Sequence, residues 1–187
     1  MTFQPETFLG ELSSGQTPIA GLTPPACPGI YAIYLRPDSS GLSFCTAGPE
    51  PVYLGISEDL AQRGPDNHFR SGQTGFSTLR RSIGALLLDQ LRLVPCPRAT
   101  GWATTNFRNY RFDHQGERRL SEWMETNLLV AARPIRDPER VEGRLVNFTH
   151  PPLNLKGWKN PNADRIRAAR NLCVELAMDQ SPQSRAA

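Results

Sequence analysis

Gly29-Ile30-Tyr31-Ala32-Ile33-Tyr34-Leu35 is the stretch whose reading decides the fold. Its β-branched and aromatic residues, bounded by Pro28 and Pro37, give a strand signal. A second strand follows at Val52-Tyr53-Leu54-Gly55-Ile56, after a loop rich in proline, serine and glycine from Pro37 to Pro51. Residues 29–36 and 51–56 are therefore expected to pair as an antiparallel hairpin. In such a hairpin Tyr31 and Tyr53 sit across or diagonal to one another, which places two phenols at one spot.

Outward from the hairpin the punctuation is helical. Ser57 is expected to cap a helix with Glu58 and Asp59 in its first turn, and Pro65 should interrupt it. Ser77 should cap a helix over Thr78–Leu91, whose Leu79, Ile83, Leu86 and Leu87 recur at helical spacing. A third short strand is expected at Leu91–Val94, ended by Pro95 and Pro97. Glu117–Asn127 reads as a helix and Leu128–Ala132 as a strand stopped by Pro134. Asp137-Pro138-Glu139 is a strong helix start, running to Phe148 with Val141, Leu145 and Phe148 on its buried stripe. A last helix, Ala163–Met178, turns Ile166, Cys173, Leu176 and Ala177 inward and Arg165, Arg167 and Arg170 outward.

Short strands interleaved with helices, without a regular βαβ rhythm, predict an α+β fold, a small antiparallel or mixed central sheet flanked by helices. Residues 1–27 read as an irregular N-terminal arm with one short helix near Glu6–Leu12. One domain is expected over 28–160, with an insertion at about 90–116, then a C-terminal helix and a disordered tail over 161–187.

Composition excludes more than it identifies. The 187 residues are 39% hydrophobic and 21% charged, an ordinary globular mix. No apolar run approaches a membrane span, and the N-terminus carries neither a basic nor an apolar leader region. A cytoplasmic protein without membrane contact is the expectation. Cys27, Cys45, Cys96 and Cys173 form no C-x-x-C pair, so neither a zinc ribbon nor a redox motif is expected. The net charge of +3 hides an asymmetry: residues 1–62 carry −5 and the remainder +8, nearly all of it arginine. Arginine forks onto phosphate, which makes an anionic partner the natural reading.

Gly29-Ile30-Tyr31 and Tyr53-Leu54-Gly55 on neighbouring strands resemble the paired signature of the GIY-YIG nucleases. Arg63, His68, Glu142 and Asn154 in Pro152-Leu153-Asn154 follow in the family's order, so the resemblance covers about residues 28–158. It implies metal-dependent hydrolysis of a DNA phosphodiester, as in restriction, repair or mobile-element endonucleases. It further implies one Mg²⁺ or Mn²⁺ held by Glu142, with Arg63 stabilising the charge of the reacting phosphate. Tyr31 or Tyr53 would act as general base with His68 as relay. Asn154 would position Glu142 or the loops of the site. Double-stranded or branched DNA is the implied partner, and a homodimer is compatible with the family.

This chain departs from the compact pattern in three places. The two signature tyrosines stand 22 positions apart, across a long loop. His68 lies five positions after Arg63, where four is commoner, and Glu142 comes 74 positions after His68. Around the turn Ser71–Gly75, Arg70, Arg80 and Arg81 read as phosphate-binding candidates, and Lys156 and Lys159 join them near the end of the domain. Two other readings use the same scaffold: a module that grips DNA or a partner without cutting, and an enzyme acting on a small substrate in biosynthesis or self-resistance.

Overall fold

The computed structural model describes residues 3–39, 41–100 and 104–180, with the side chains of residues 63, 66, 99, 100, 104 and 105 outside the description. The C-terminal tail expected to be disordered lies outside the described residues, apart from its first turn. The chain divides into two compact units, 1–67 with 125–161 and 68–124 with 162–187. The second unit takes in far more than the insertion expected at 90–116.

In the first unit β1 (Gly29–Leu35) lies between β2 (Tyr53–Ser57) and β5 (Leu128–Pro134), and both pairings are antiparallel. All seven residues of β1 are buried, which is why its sequence reads as a continuous apolar run instead of an alternation. One face of the sheet, with Ile30, Ala32 and Tyr34, packs against two helices. These are α1 (Pro5–Ser14), through Phe8 and Leu12, and α6 (Pro138–Thr149), through Val141, Leu145 and Val146.

The N-terminal segment is thus core, not an arm outside the domain. Thr17 adds a β-bridge to Val130, with backbone bonds of 2.9 and 2.8 Å. Phe148 corrects the expected buried stripe of α6, since it is 47% exposed. In α2 (Leu60–Arg63) the cap is Asp59, not Ser57: its Oδ1 accepts the amides of Ala61 and Gln62 at 3.0 and 3.1 Å. Pro65 separates α2 from α3 (Asp66–Phe69), as expected.

In the second unit Ser77 caps α4 (Thr78–Leu86), its Oγ accepting the Arg80 amide at 3.0 Å. The helix stops five residues earlier than its apolar spacing suggests, and turns follow up to Arg92 at φ 49°. The expected strand 91–94 is displaced: β3 (Pro95–Thr100) begins where the prolines were to end it, and pairs with β4 (Thr104–Phe112). A two-stranded hairpin leaves each strand an unpaired side, where a missing N–H costs nothing, and the register shifts between Cys96 and Arg98, around Pro97. The hairpin packs against α7 (Ala163–Asp179), and α5 (His114–Asn127) supplies the buried carboxylate described next.

Arg80 is 0% exposed and organises this unit. Its guanidinium meets the Glu117 carboxylate at 2.8 Å and also donates to Thr74 Oγ1, Ser121 Oγ and the carbonyls of His68 and Phe69. Glu117 in turn accepts the amides of Gly72 and Phe112 and the Thr74 hydroxyl. The assignment of Arg80 to phosphate binding is therefore corrected: its donors are spent inside the protein, where a phosphate does not reach. Breaking a buried, hydrogen-bonded ion pair from one side costs about 3–5 kcal/mol. Arg80→Gln should lower unfolding stability by that order in chemical denaturation, and Arg80→Met with Glu117→Leu should lose less than the single change. An unaltered midpoint for Arg80→Gln would remove the pair from the frame of the unit.

Candidate active site

The register of the hairpin places the two signature tyrosines. Tyr31 lies opposite Gly55 and Ile33 opposite Tyr53, so the phenols are diagonal neighbours on one face. Their ring centroids are 6.4 Å apart at an interplanar angle of 37°. A Cβ on Gly55 would run into the Tyr31 ring and its hydroxyl, so only glycine lets that ring lie across β2. Gly29 has the same necessity: a Cβ there would meet the Leu60 side chain and the Arg133 carbonyl. Each signature glycine is a close-approach residue.

The Tyr31 phenol is held well above its ordinary value of 10.0. Burial is the largest cause, followed by the charges of Tyr53 and Glu142 and a hydrogen bond between the two phenols. At neutral pH Tyr31 therefore carries its proton. Glu142, half-buried on α6 beside Val141, is raised too, by burial and then by Glu139. Tyr31 and Glu142 each feel a neighbouring acidic group: Tyr53 and Glu142 act on Tyr31, and Glu139 acts on Glu142.

That donor set would suit a hard divalent ion that keeps most of its own waters. No group of three or more His, Cys, Asp or Glu residues gathers among the described residues, so a cage built of side chains is not on offer. A single carboxylate suits Mg²⁺ or Mn²⁺, since Mg²⁺ keeps several waters and takes one or two carboxylates plus substrate phosphate. Glu142 is the residue that would hold it.

Asn154 is buried and works on β2. Its Oδ1 accepts the Leu54 amide and its Nδ2 donates to the Leu54 carbonyl, both at 2.9 Å. The side chain thus completes the free edge of the strand as a short extra strand would, between Tyr53 and Gly55. The Asn154 carbonyl accepts from Trp158 Nε1 at 3.2 Å and from Asn160 Nδ2 at 2.9 Å. Trp158 also stacks on His150 at 4.9 Å, so it packs into the fold. The sequence reading left Asn160 out. Its signal was an asparagine six residues beyond Asn154 in a segment dense in Pro, Gly and Trp.

Tyr31, Tyr53, Glu142 and Asn154 are thus held in one unit. Arg63 ends α2 in that same unit, and its side chain lies outside the described residues. His68, Arg70, Arg80 and Arg81 belong to the other unit. His68 Nδ1 is 2.7 Å from Ser77 Oγ, and burial with the nearby Arg80 charge lowers its pKa to about 4. Arg70, Lys156 and Lys159 are exposed.

The family model of the GIY-YIG catalytic domain matches residues 29–174. No curated protein and no solved structure matches the chain. GIY-YIG domains are nuclease domains that generally use divalent metals.

Glu142 gives a test that needs no turnover. Its folded pKa lies above the ordinary 4.5, so its contribution to stability is present at acid pH and lost as pH rises through the folded value. Glu142→Gln should melt higher than the parent at neutral pH, with the gap closing on acidification below 4.5. Mg²⁺ or Mn²⁺ should raise the melting temperature of the parent and not of the variant. An equal rise in both would take Glu142 out of the metal site.

His68 has the opposite sign. Its pKa falls on folding, so its contribution is present above its ordinary 6.5 and lost as pH falls toward about 4. His68→Gln should flatten the fall in melting temperature across that window. A fall of the same steepness would mean the imidazole is no more resistant to protonation in the fold than outside it.

Proposed function

The chain belongs to the family of GIY-YIG catalytic domains, and from that premise we propose that it is a metal-dependent endonuclease hydrolysing DNA phosphodiesters. The observation that supports the reading is the Tyr31 ring lying over Gly55 beside Tyr53, with the charge of Glu142 acting on Tyr31. A bound Mg²⁺ or Mn²⁺ supplies Lewis-acid polarisation of the phosphate and charge neutralisation at the leaving oxygen. Glu142 anchors it. Arg63 stabilises the extra negative charge that develops on phosphorus-bound oxygens.

The phenol pair handles the proton of the attacking water. Burial first, then the charges of Tyr53 and Glu142 and the hydrogen bond with Tyr53, hold the proton on Tyr31. In this reading Tyr31 donates to Tyr53. Tyr53 is also the less buried of the two, and so the one that meets water. We assign the base role to Tyr53 and orientation to Tyr31. As water bonds to phosphorus, one phosphoester bond breaks. Tyr53 yields its own proton to solvent as it takes up the proton of the attacking water, and the leaving oxygen is protonated from solvent, so the pair ends with the two protons it began with. Asn154 is a positioning residue: it fixes the backbone between Tyr53 and Gly55.

The experiment is cleavage of supercoiled plasmid and branched DNA with Mg²⁺ or Mn²⁺ under single-turnover conditions. Chelation and Glu142→Ala should each abolish cutting. Removing a preorganised donor costs about 10²–10³ in rate, so Arg63→Ala should cut that much more slowly while binding DNA within a few-fold. Tyr53→Phe should lose more than Tyr31→Phe, with melts checking that both fold. Wild-type rates in both phenylalanine variants would end the phenol mechanism.

A further inference from the structure

Phe76, in the short 3₁₀ turn Thr74–Phe76, is 72% exposed, the most of any large apolar side chain among the described residues. It is not loose. The Arg98 guanidinium from β3 lies over its ring, 4.3 Å from the centroid, and Arg98 Nη1 donates to the Gly75 carbonyl at 2.9 Å. A Cβ on Gly75 would come within 2.6 Å of Arg98 Cδ and 3.1 Å of the Asn109 carbonyl, so the turn is built around that crossing. One face of the ring is backed by a cation and the other is open.

Arg81 from α4 reaches the same carbonyl. Its Nη1 donates to Gly75 O at 2.9 Å and to Thr74 O at 3.2 Å, so two guanidinium groups stand side by side on one oxygen. Arg81 is only 5% exposed, and its buried Nε has no hydrogen-bond partner. Arg170 lies on α7, which packs on α4 and on both strands of the hairpin, and its charge acts on Arg81. It stands one turn before Cys173, which hydrogen-bonds Tyr110, the tyrosine whose hydroxyl donates to the Arg81 carbonyl at 3.0 Å. Burial, Arg170 and Arg98 together pull the Arg81 pKa down to about 10. Among the described residues no carboxylate lies within ion-pair distance of Arg81, Arg98 or Arg170.

Three like charges, one of them buried with an unanswered donor, are an unfavourable arrangement until an anion joins them. Arginine at close quarters selects a phosphate, and an open aromatic face beside it selects a base. We propose that the second unit carries its own nucleotide-binding site, in which Arg98 and Arg170 hold a backbone phosphate, the buried charge of Arg81 adds to their field, and Phe76 stacks an unpaired base. The site rests on the nuclease reading for its partner and narrows it to nucleic acid with an unstacked base, as in single-stranded or branched DNA.

The test is fluorescence anisotropy of the full chain with a labelled single-stranded oligonucleotide and a blunt duplex, in EDTA so that nothing is cut. Plasmid cleavage with metal is run alongside. Phe76→Ala removes a stacking ring without touching the core, and should weaken single-strand binding about five- to a hundredfold while leaving duplex binding unchanged. Arg98→Gln and Arg170→Gln should each reduce the salt slope of single-strand binding by about 0.7. Arg81 is buried and is left unchanged; the variants at the half-buried Arg98 and Arg170 carry the test. A chain that cuts plasmid, yet binds the single strand equally with and without Phe76 and with unchanged salt slopes, overturns the site and keeps the nuclease reading. A parent chain that neither cuts nor binds either probe overturns both.

Discussion

The Tyr31 ring occupies the space that a side chain at residue 55 would need, and much of the candidate site depends on that exclusion. A glycine opposite the tyrosine lets the ring cross β2 and meet Tyr53, one register step away. The hairpin register then matters, because a slip of one residue would turn both phenols to the opposite face. Three features pin it. Gly29 admits Leu60 and the Arg133 carbonyl at the start of β1, Asn154 ties the Leu54 backbone in the middle of β2, and β5 pairs along all of β1. A signature that looks like six common residues is a set of mutually dependent steric fits.

Arg80 and Arg81 show what charge counting misses. Neighbours in an α-helix point about 100° apart, so adjacent arginines meet different surroundings. One faces Glu117 and becomes a structural pair; the other faces two carbonyls and two more arginines. In the sequence they read as a single basic patch beside a glycine turn. Only the carboxylate arriving from α5, 37 positions later, separates their roles. The unevenness of charge was legible from composition, and its division into a paired and an unpaired half was not.

Legibility followed locality. β1, β2, β5 and the last two helices lay within a residue or two of where β-branched and aromatic runs, prolines and helical spacing put them, because those signals are confined to each segment. The α+β class followed from them. What failed depended on distant partners. The segment 1–27 looked irregular because proline, glycine, serine and threonine together outnumber its apolar residues; the short helix expected near Glu6–Leu12 forms as α1, and Phe8 and Leu12, four apart, seat it in the core. β3 was displaced because Pro95 and Pro97 signal a strand's end only when both of its edges are paired. Arg63, Glu142 and Asn154 were found by the order of a known pattern; no periodicity marks them. The Leu54 clamp made by Asn154 needed the fold.

The protonation of the site ties its two halves of chemistry together. Tyr31 and Glu142 are both held in their protonated forms more firmly than in water, and each is raised in part by a neighbouring acid: Tyr31 by Tyr53 and Glu142, Glu142 by Glu139. Burial has removed the solvent that would relieve this crowding, and the arrangement costs stability as pH rises. Under the proposed nuclease reading, a divalent cation at Glu142 would relieve that cost and would compete with the proton for the carboxylate, so its binding would release a proton and strengthen with pH. The raised phenol and the raised carboxyl are two expressions of one condition: the fold has brought acidic groups together where solvent does not relieve them.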